Sequence, residues 1–252
     1  ILVFHYFPIY GIQIAFRNYK PSRGIWGSQW AGLKYFRKFL TSYNAWTIIR
    51  NTIVISLYQM LAFPVPILLA LVLHYTPILR LKKITQSITY APHFISTVVL
   101  CGIITAFFSQ SGIINQLGRI LFGAQAVDYM SYPRYWRSLF VGSGIWQNTG
   151  YNAIIYIAAL AGVSSELHEA AIMDGANRVQ RIWHIDIPSI MPTIIILLIM
   201  QCGKVMNVGF QKAYLLQNDL NTSVSEVIST YVYKMGLNKG QYSLSTAVGL
   251  FN

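Results

Sequence analysis

Acidic side chains are scarce in this chain. Seven Asp and Glu stand against nineteen Lys and Arg in 252 residues, and only 10% of residues are charged. Soluble domains carry about 25% charged residues, so this content excludes an ordinary water-soluble globule. Cysteine is equally sparse. Cys101 and Cys202 both lie inside apolar runs, which excludes a disulfide scaffold and reads instead as two small buried hydrophobes. The phosphate-cradling pattern G-x-x-x-x-G-K-S/T does not occur, so ATP chemistry is not expected on this polypeptide. Internal repeats and low-complexity tracts are also missing. The net charge of +12 could suggest nucleic acid. Lys and Arg gather outside the apolar runs, however, where anionic lipid headgroups are the natural counter-charge, and no basic face belongs to a soluble module.

What the chain does have is hydrophobic length. Hydrophobic residues make up 54% of it, and several runs reach the roughly 20 apolar residues that a helix needs to cross a bilayer. These runs lie near 46–74, 88–109, 138–162 and 188–208, with another opening near Ser243. Residues 1–16, interrupted by Pro8 and Gly11, read as the end of a further span. The pattern predicts an all-α polytopic membrane protein with about six transmembrane helices, the first and last trimmed, forming one domain over 1–252. A cleavable signal peptide is not expected, because no basic n-region or small-residue cleavage site is present. Pro64 and Pro66 are tolerable in a membrane helix, where neighbouring groups re-satisfy the freed carbonyls. Pro188 and Pro192 are expected in the first turn of the fifth run.

Between the runs lie polar intervals. The interval 17–44 carries Arg17, Lys20, Arg23, Lys34, Arg37 and Lys38 with Trp26 and Trp30, and a short basic loop is expected at 80–83. The positive-inside rule places 80–83 in the cytoplasm and, by alternation, the 163–187 loop beside it. It also disfavours an outer location for 17–44, so loop charge alone leaves the orientation open.

Four of the seven acidic residues, Glu166, Glu169, Asp174 and Asp186, fall in the segment E-L-H-E-A-A-I-M-D-G-A-N-R-V-Q-R-I-W-H-I-D-I-P-S-I-M-P at 166–192. Ser164 and Ser165 are good N-cap residues, and Glu166 and Glu169 put negative charge where the helix dipole favours it. Helical spacing sets Leu167, Ala170, Ala171 and Asp174 on one face, kept low by the two alanines so that another protein can approach closely. Gly175 is expected to bend the helix, with Arg178 and Arg181 on a second short one. A membrane-surface helix would need a wide apolar face and Lys or Arg on the other. An Asp-Gly hairpin would need flanking strand alternation. Neither pattern is present.

The spacing Glu169-Ala170-Ala171, Asp174-Gly175-Ala176, then Ile185-Asp186-Ile187-Pro188 and Pro192, resembles the EAA loop of ABC importer permeases, with Ile187 where Leu is usual. The opening F-H-Y-F-P-I-Y-G-I-Q-I-A-F-R-N-Y-K at 4–20, W-A-G-L-K-Y-F at 30–36 and N-T at 51–52 are similar to the carbohydrate-uptake branch. Within that branch the likeness is to the oligo- and polysaccharide subgroup that includes alginate-type importers. The resemblance implies a type I permease fold in a bacterial cytoplasmic membrane, with the loop on the cytoplasmic side as a coupling helix. Its contacts to the ATPase would come from Glu166, Leu167, Glu169, Ala170, Ala171, Asp174, Gly175, Ala176 and Arg178. The implied partners are two ATP-binding subunits that hold ATP and Mg, a second permease subunit of a different chain, an extracytoplasmic solute-binding protein and the lipid bilayer. No cofactor, metal or catalytic residue is expected on this chain. The alternative cargo is a peptide, polyamine or other small solute. An intramembrane enzyme would need carboxylates or a Ser/His constellation in the spans, and a channel needs no ATPase loop.

Polar groups inside the runs are candidates for a solute path: Trp146, Gln147, Asn148, Tyr151 and Asn152 in the fourth, and Gln201, Lys204 and Asn207 in the fifth. Amides bond sugar hydroxyls and aromatic rings pack on pyranose faces; inter-helix hydrogen bonding is the competing use. Lys204 within a span costs roughly 2.5–3.5 kcal/mol on insertion scales, unless it snorkels to the interface as Arg50 is expected to do. His93 reads as a packing residue, and the sequon at 221–223 as chance. The basic outer side, with Asp128 as its one carboxylate before the loop, favours anions and hence an acidic carbohydrate such as a uronic-acid oligomer.

Overall fold

A computed structural model describes residues 6–251, and among these the chain is helical, with two isolated bridges, Arg17 to Trp30 and Lys20 to Gly24, in place of any sheet. In chain order the α-helices are α1 (Lys34–Leu40), α2 (Ala45–Leu61), α3 (Pro64–His74), α4 (Leu79–Tyr90), α5 (Thr97–Phe108), α6 (Ile113–Phe122) and α7 (Pro133–Ala161). There follow α8 (Ser165–Met173), α9 (Arg178–Arg181), α10 (Ile187–Cys202), α11 (Phe210–Leu215), α12 (Thr222–Ser225), α13 (Ile228–Tyr233) and α14 (Tyr242–Gly249). Among the described residues, three stretches are long and apolar enough to cross a membrane: Ala45–His74, Thr97–Phe122 and Arg178–Cys202. The 29 residues of α7 reach about 44 Å at 1.5 Å per residue, a fourth stretch of spanning length. Ten residues at Phe7–Phe16 form 3-10 turns; the expected first span also includes residues 1–5, which lie outside the described residues together with Phe4 and His5 of the opening motif.

Several expected boundaries move, each for a local reason. The basic loop at 80–83 is not a loop: Arg80, Lys82 and Lys83 sit inside α4, whose apolar residues Leu81, Ile84 and Ile88 recur at helical spacing. The run at 88–109 is not one helix either. Pro92 has no N–H to continue α4, so 3-10 turns at Ala91–Phe94 and an extended Ile95 intervene, and α5 starts only at Thr97. Pro192 lies within α10 rather than in its first turn, because the helix starts at Ile187 and is preceded without a break by α9 and a π-turn at Ile182–Asp186. The same helix ends at Cys202, so Lys204 lies in the turn after it, exposed, with its N–H bonded to Gln201 O at 3.0 Å.

The described residues group into two compact units. One comprises the residues up to Ser56, Cys101–Ser138 and those from Val205 on; the other comprises Leu57–Leu100 and Leu139–Lys204. In the first unit, Phe39, Ile48, Ile228, Tyr231, Leu244 and Val248 form the core. The buried Asn51 and Thr52 tie it together. Asn51 Nδ2 donates to the carbonyls of Ser223 (3.0 Å) and Glu226 (3.1 Å), its Oδ1 accepts from Arg137 Nη2 at 2.8 Å, and Thr52 Oγ1 accepts from Ile228 N at 3.1 Å. The interval 17–44 is structured rather than a plain loop: Arg17 packs over Trp26 and Trp30, with its guanidinium carbon 5.5 and 5.8 Å from the ring centroids. In the second unit, Ala70, Leu71, Ala153, Tyr156, Leu160 and Ile190 form the core from α3, α7 and α10. Gly150 lets α4 and α7 meet there, since a Cβ at that position would run into the Thr89 carbonyl oxygen.

Candidate partner-docking site

The acidic segment folds as a helix, a turn and a second helix, all within the second unit. Ser164 Oγ accepts from Glu166 N at 3.2 Å and so caps α8, and Glu166 stands in its first turn. At the other end the chain enters the left-handed region at Gly175, φ +80°. Gly175 N–H bonds Ile172 O at 3.0 Å and Ala176 N–H bonds Ala171 O at 2.8 Å. This pair of bonds is the Schellman arrangement, which places a glycine at the first residue past the cap. The spacing of Ala171, Gly175 and Ala176 is therefore the grammar of a helix end. The small pair Ala171 and Ala176 packs half-buried across the turn. Asn177 then opens α9 with a reciprocal box, Gln180 N to Asn177 Oδ1 at 2.9 Å and Asn177 N to Gln180 Oε1 at 2.8 Å.

From α9 the backbone stays helical through the π-turn into α10, 25 residues or about 38 Å of continuous helix. The turn at Gly175 is therefore followed, after Ala176 and Asn177, by the start of an apolar span. On its inner side α8 is held by His168, whose Nε2 lies 3.2 Å from Asp186 Oδ1. Asp186 is fully buried, and Tyr75 Oη donates to its Oδ2 at 2.6 Å. Burial and that bond to the carboxylate push the Tyr75 phenol up to about 12.

The outer side is open. Glu166, Leu167, Glu169, Ala170, Asp174, Gly175 and Arg178 are all exposed. Four apolar residues that helical spacing did not single out are exposed beside them: Ile172, Met173, Val179 and Trp183, Met173 at 87%. The available signal was the presence of large apolar side chains in an otherwise polar stretch. Ala171, Asp174, Gln180, Arg181 and His184 line a shallow concavity in the same surface. Apolar residues ringed by charge in this way suit a protein surface more than a lipid one.

The expected solute-path residues divide by environment. Gln147 Nε2 donates to Ile95 O at 2.9 Å, and Asn148 shares a 3.1 Å contact with His93 Nδ1 and donates to Gly144 O at 3.0 Å. Their amides thus tie α7 to the 3-10 turn and extended residue between α4 and α5. His93 stacks on Tyr151, ring centroids 3.8 Å apart and planes 5° from parallel. Trp146, Tyr151 and Asn152 are exposed along α7, and Gln201 is half-buried in the last turn of α10. Asn207 belongs to the first unit, where its Oδ1 accepts from Gly209 N at 3.2 Å.

Residues 62–251 match the family described as binding-protein-dependent transport system inner membrane component. Among similar proteins, LplB of Bacillus subtilis (strain 168) is 44% identical over 99% of this chain and 79% of its own length. The polygalacturonan/rhamnogalacturonan transport system permease protein YteP of the same strain is 42% identical over 99% of this chain and 78% of its own. Among solved structures, a bacterial ABC transporter involved in the import of the acidic polysaccharide alginate superposes with a TM-score of 0.92 at 36% identity, covering 100% of this chain and 85% of that one. The alginate transporter in complex with an alginate pentasaccharide-bound periplasmic protein gives 0.91 at 36% identity over 100% and 84%. With its helical membrane architecture and this match over 62–251, the chain belongs to the binding-protein-dependent transport system inner membrane components, the permease subunits of ABC importers.

Proposed function

We propose that this chain is the membrane-spanning subunit of an ATP-driven importer. It accepts an oligo- or polysaccharide from an extracytoplasmic binding protein and releases it into the cytoplasm of a bacterium by alternating access. The observation that carries the mechanism is the docking segment: an exposed apolar and acidic surface on α8 and α9, stiffened by the glycine turn and continuous with α10. Two ATP-binding subunits, holding ATP and Mg, would take this segment and its counterpart on a second permease subunit. ATP-driven closure of that pair drags the segments, and through α10 the spans. Coupling of this kind needs differential contact, the ATPase holding the loop differently in its two states.

An acidic carbohydrate is the favoured cargo. Relatives with 42% and 36% identity are named for polygalacturonan/rhamnogalacturonan and for the acidic polysaccharide alginate. Exposed Trp146 and Tyr151 supply rings that suit pyranose faces.

The test is Glu169→Lys in reconstituted transporter, with uptake and ATP hydrolysis measured together. Glu169 is exposed near the middle of α8, so its reversal leaves the fold intact. The expected result is assembled complex in which hydrolysis no longer drives uptake at the normal ratio. Normal assembly with a normal ratio sinks the docking assignment.

A further inference from the structure

Beneath α8, side chains from three elements converge on one point that the docking surface does not use. His74 ends α3, His168 faces inward from α8, and Asp186 closes the π-turn before α10. One ring nitrogen of each histidine and one carboxylate oxygen of Asp186 all lie within 4.8 Å of one another. Asp186 alone among the described acidic residues is fully buried. Its Oδ2 accepts the Tyr75 hydroxyl, whereas Oδ1 has no hydrogen bond; neither has His168 Nε2, although both atoms are shut off from solvent. The two are 3.2 Å apart without the alignment that a hydrogen bond requires. These two atoms and the His74 ring nitrogen together form a donor set of the kind that holds a metal ion. Nitrogen and oxygen ligands at about 2.0–2.2 Å from a tetrahedral zinc lie roughly 3.3–3.5 Å from each other. Tyr75 fixes the carboxylate through its other oxygen, the outer-sphere support that metal ligands commonly have.

We propose that His74, His168 and Asp186 form a three-ligand site for a divalent transition metal of the zinc class, with water as the fourth ligand. Imidazole and carboxylate together suit zinc and its neighbours rather than calcium or magnesium. His74 is half-buried at the end of its helix and turns inward to complete the set. Arg181 lies over the Tyr75 ring at 5.7 Å, and Lys82 and Arg178 also bring positive charge near the cluster, which holds the affinity to a moderate range. The bound ion fastens the docking helix to the ends of α3 and α10, so the site would set how rigidly movement of α8 reaches the spans.

The test uses the full chain with its copurifying subunits, prepared without a polyhistidine tag and stripped with chelator. It is titrated with Co²⁺ alone, whose absorption reports four-coordinate geometry, and then with competing Zn²⁺. The wild type should take up one more ion per copy of this chain than His168→Ala, with tetrahedral cobalt bands that His168→Ala and Asp186→Asn lack. Tyr75→Phe should bind about 10–100-fold more weakly. Because Asp186→Asn alters a buried residue, His74→Gln decides the matter if that variant does not assemble; it should weaken binding at least about tenfold. Amides of α8 should exchange more slowly with Zn²⁺ in the wild type and not in His74→Gln. Cobalt uptake that is absent in the wild type, or equal across all variants, leaves a metal-free His168–Asp186 ion pair and overturns the proposal.

Discussion

Gly175 closes α8 at φ +80°, and a Cβ built there meets nothing within 4 Å. Substitution at this position therefore costs backbone conformational energy without a steric clash. For Ala the left-handed region costs about 1–2 kcal/mol, enough to shift the balance between capped and frayed turn by roughly 5–30-fold. Val, stiff at χ1, should cost more, and Asn, which tolerates this region, less. Pro is the extreme case. It locks φ near −65° and removes the N–H that bonds Ile172 O. Hydrogen exchange over 171–176 reads the turn directly, and the ratio of carbohydrate taken up to ATP hydrolysed in proteoliposomes reads its consequence. Both should worsen in the order Asn, Ala, Val, Pro, while the protein still assembles, because α8 contributes nothing to the buried core of its unit. Wild-type exchange and a wild-type ratio in Ala and Val would refute the claim that this turn transmits force.

Asn51→Ala removes one donor shared by two carbonyls and the acceptor of Arg137. At about 1–3 kcal/mol for a buried group left unpaired, thermal unfolding in detergent should show a loss of about 3 kcal/mol or more; a loss well under 1 kcal/mol contradicts the reading of this residue as a tie. Cargo charge is tested by uptake of matched neutral and acidic oligosaccharides. The acidic one should be favoured, with a preference that falls as salt rises and that Lys204→Gln reduces. Equal uptake of both, unchanged by the substitution, removes Lys204 and acidic cargo from the account.

The apolar runs and the helix-turn-helix shape of the acidic segment were legible because each is written in local chemistry: run length for the spans, and Ser164, Gly175 and Asn177 for the helix ends. Where the chain departs from expectation, the cause is a feature whose strength depends on context. Pro92 outweighs the apolar character of 88–96, so α5 starts late. Arg80, Lys82 and Lys83 look like a loop by charge, yet Leu81, Ile84 and Ile88 give them a helix to ride on. Lys204 falls beyond α10 because Gly203 caps the helix there, although hydropathy continues. Asn51 and Thr52 carried the family likeness as letters alone; their burial shows that the pair holds distant segments together. The environment of Asp186 was not legible. Tyr75 reaches it across 111 residues of chain, and no periodicity reports a partner that tertiary folding supplies.

Met173 is the most direct probe of the central claim, being 87% exposed at the end of α8 and involved in no core. A photocrosslinking amino acid placed there, in the intact transporter in its native membrane, should yield a covalent product with an ATP-binding subunit, in an amount that changes when ATP is trapped. The same probe at Phe122, exposed at the end of α6, should give no such product. Crosslinks from residue 173 to lipid alone, with or without ATP, would contradict the account.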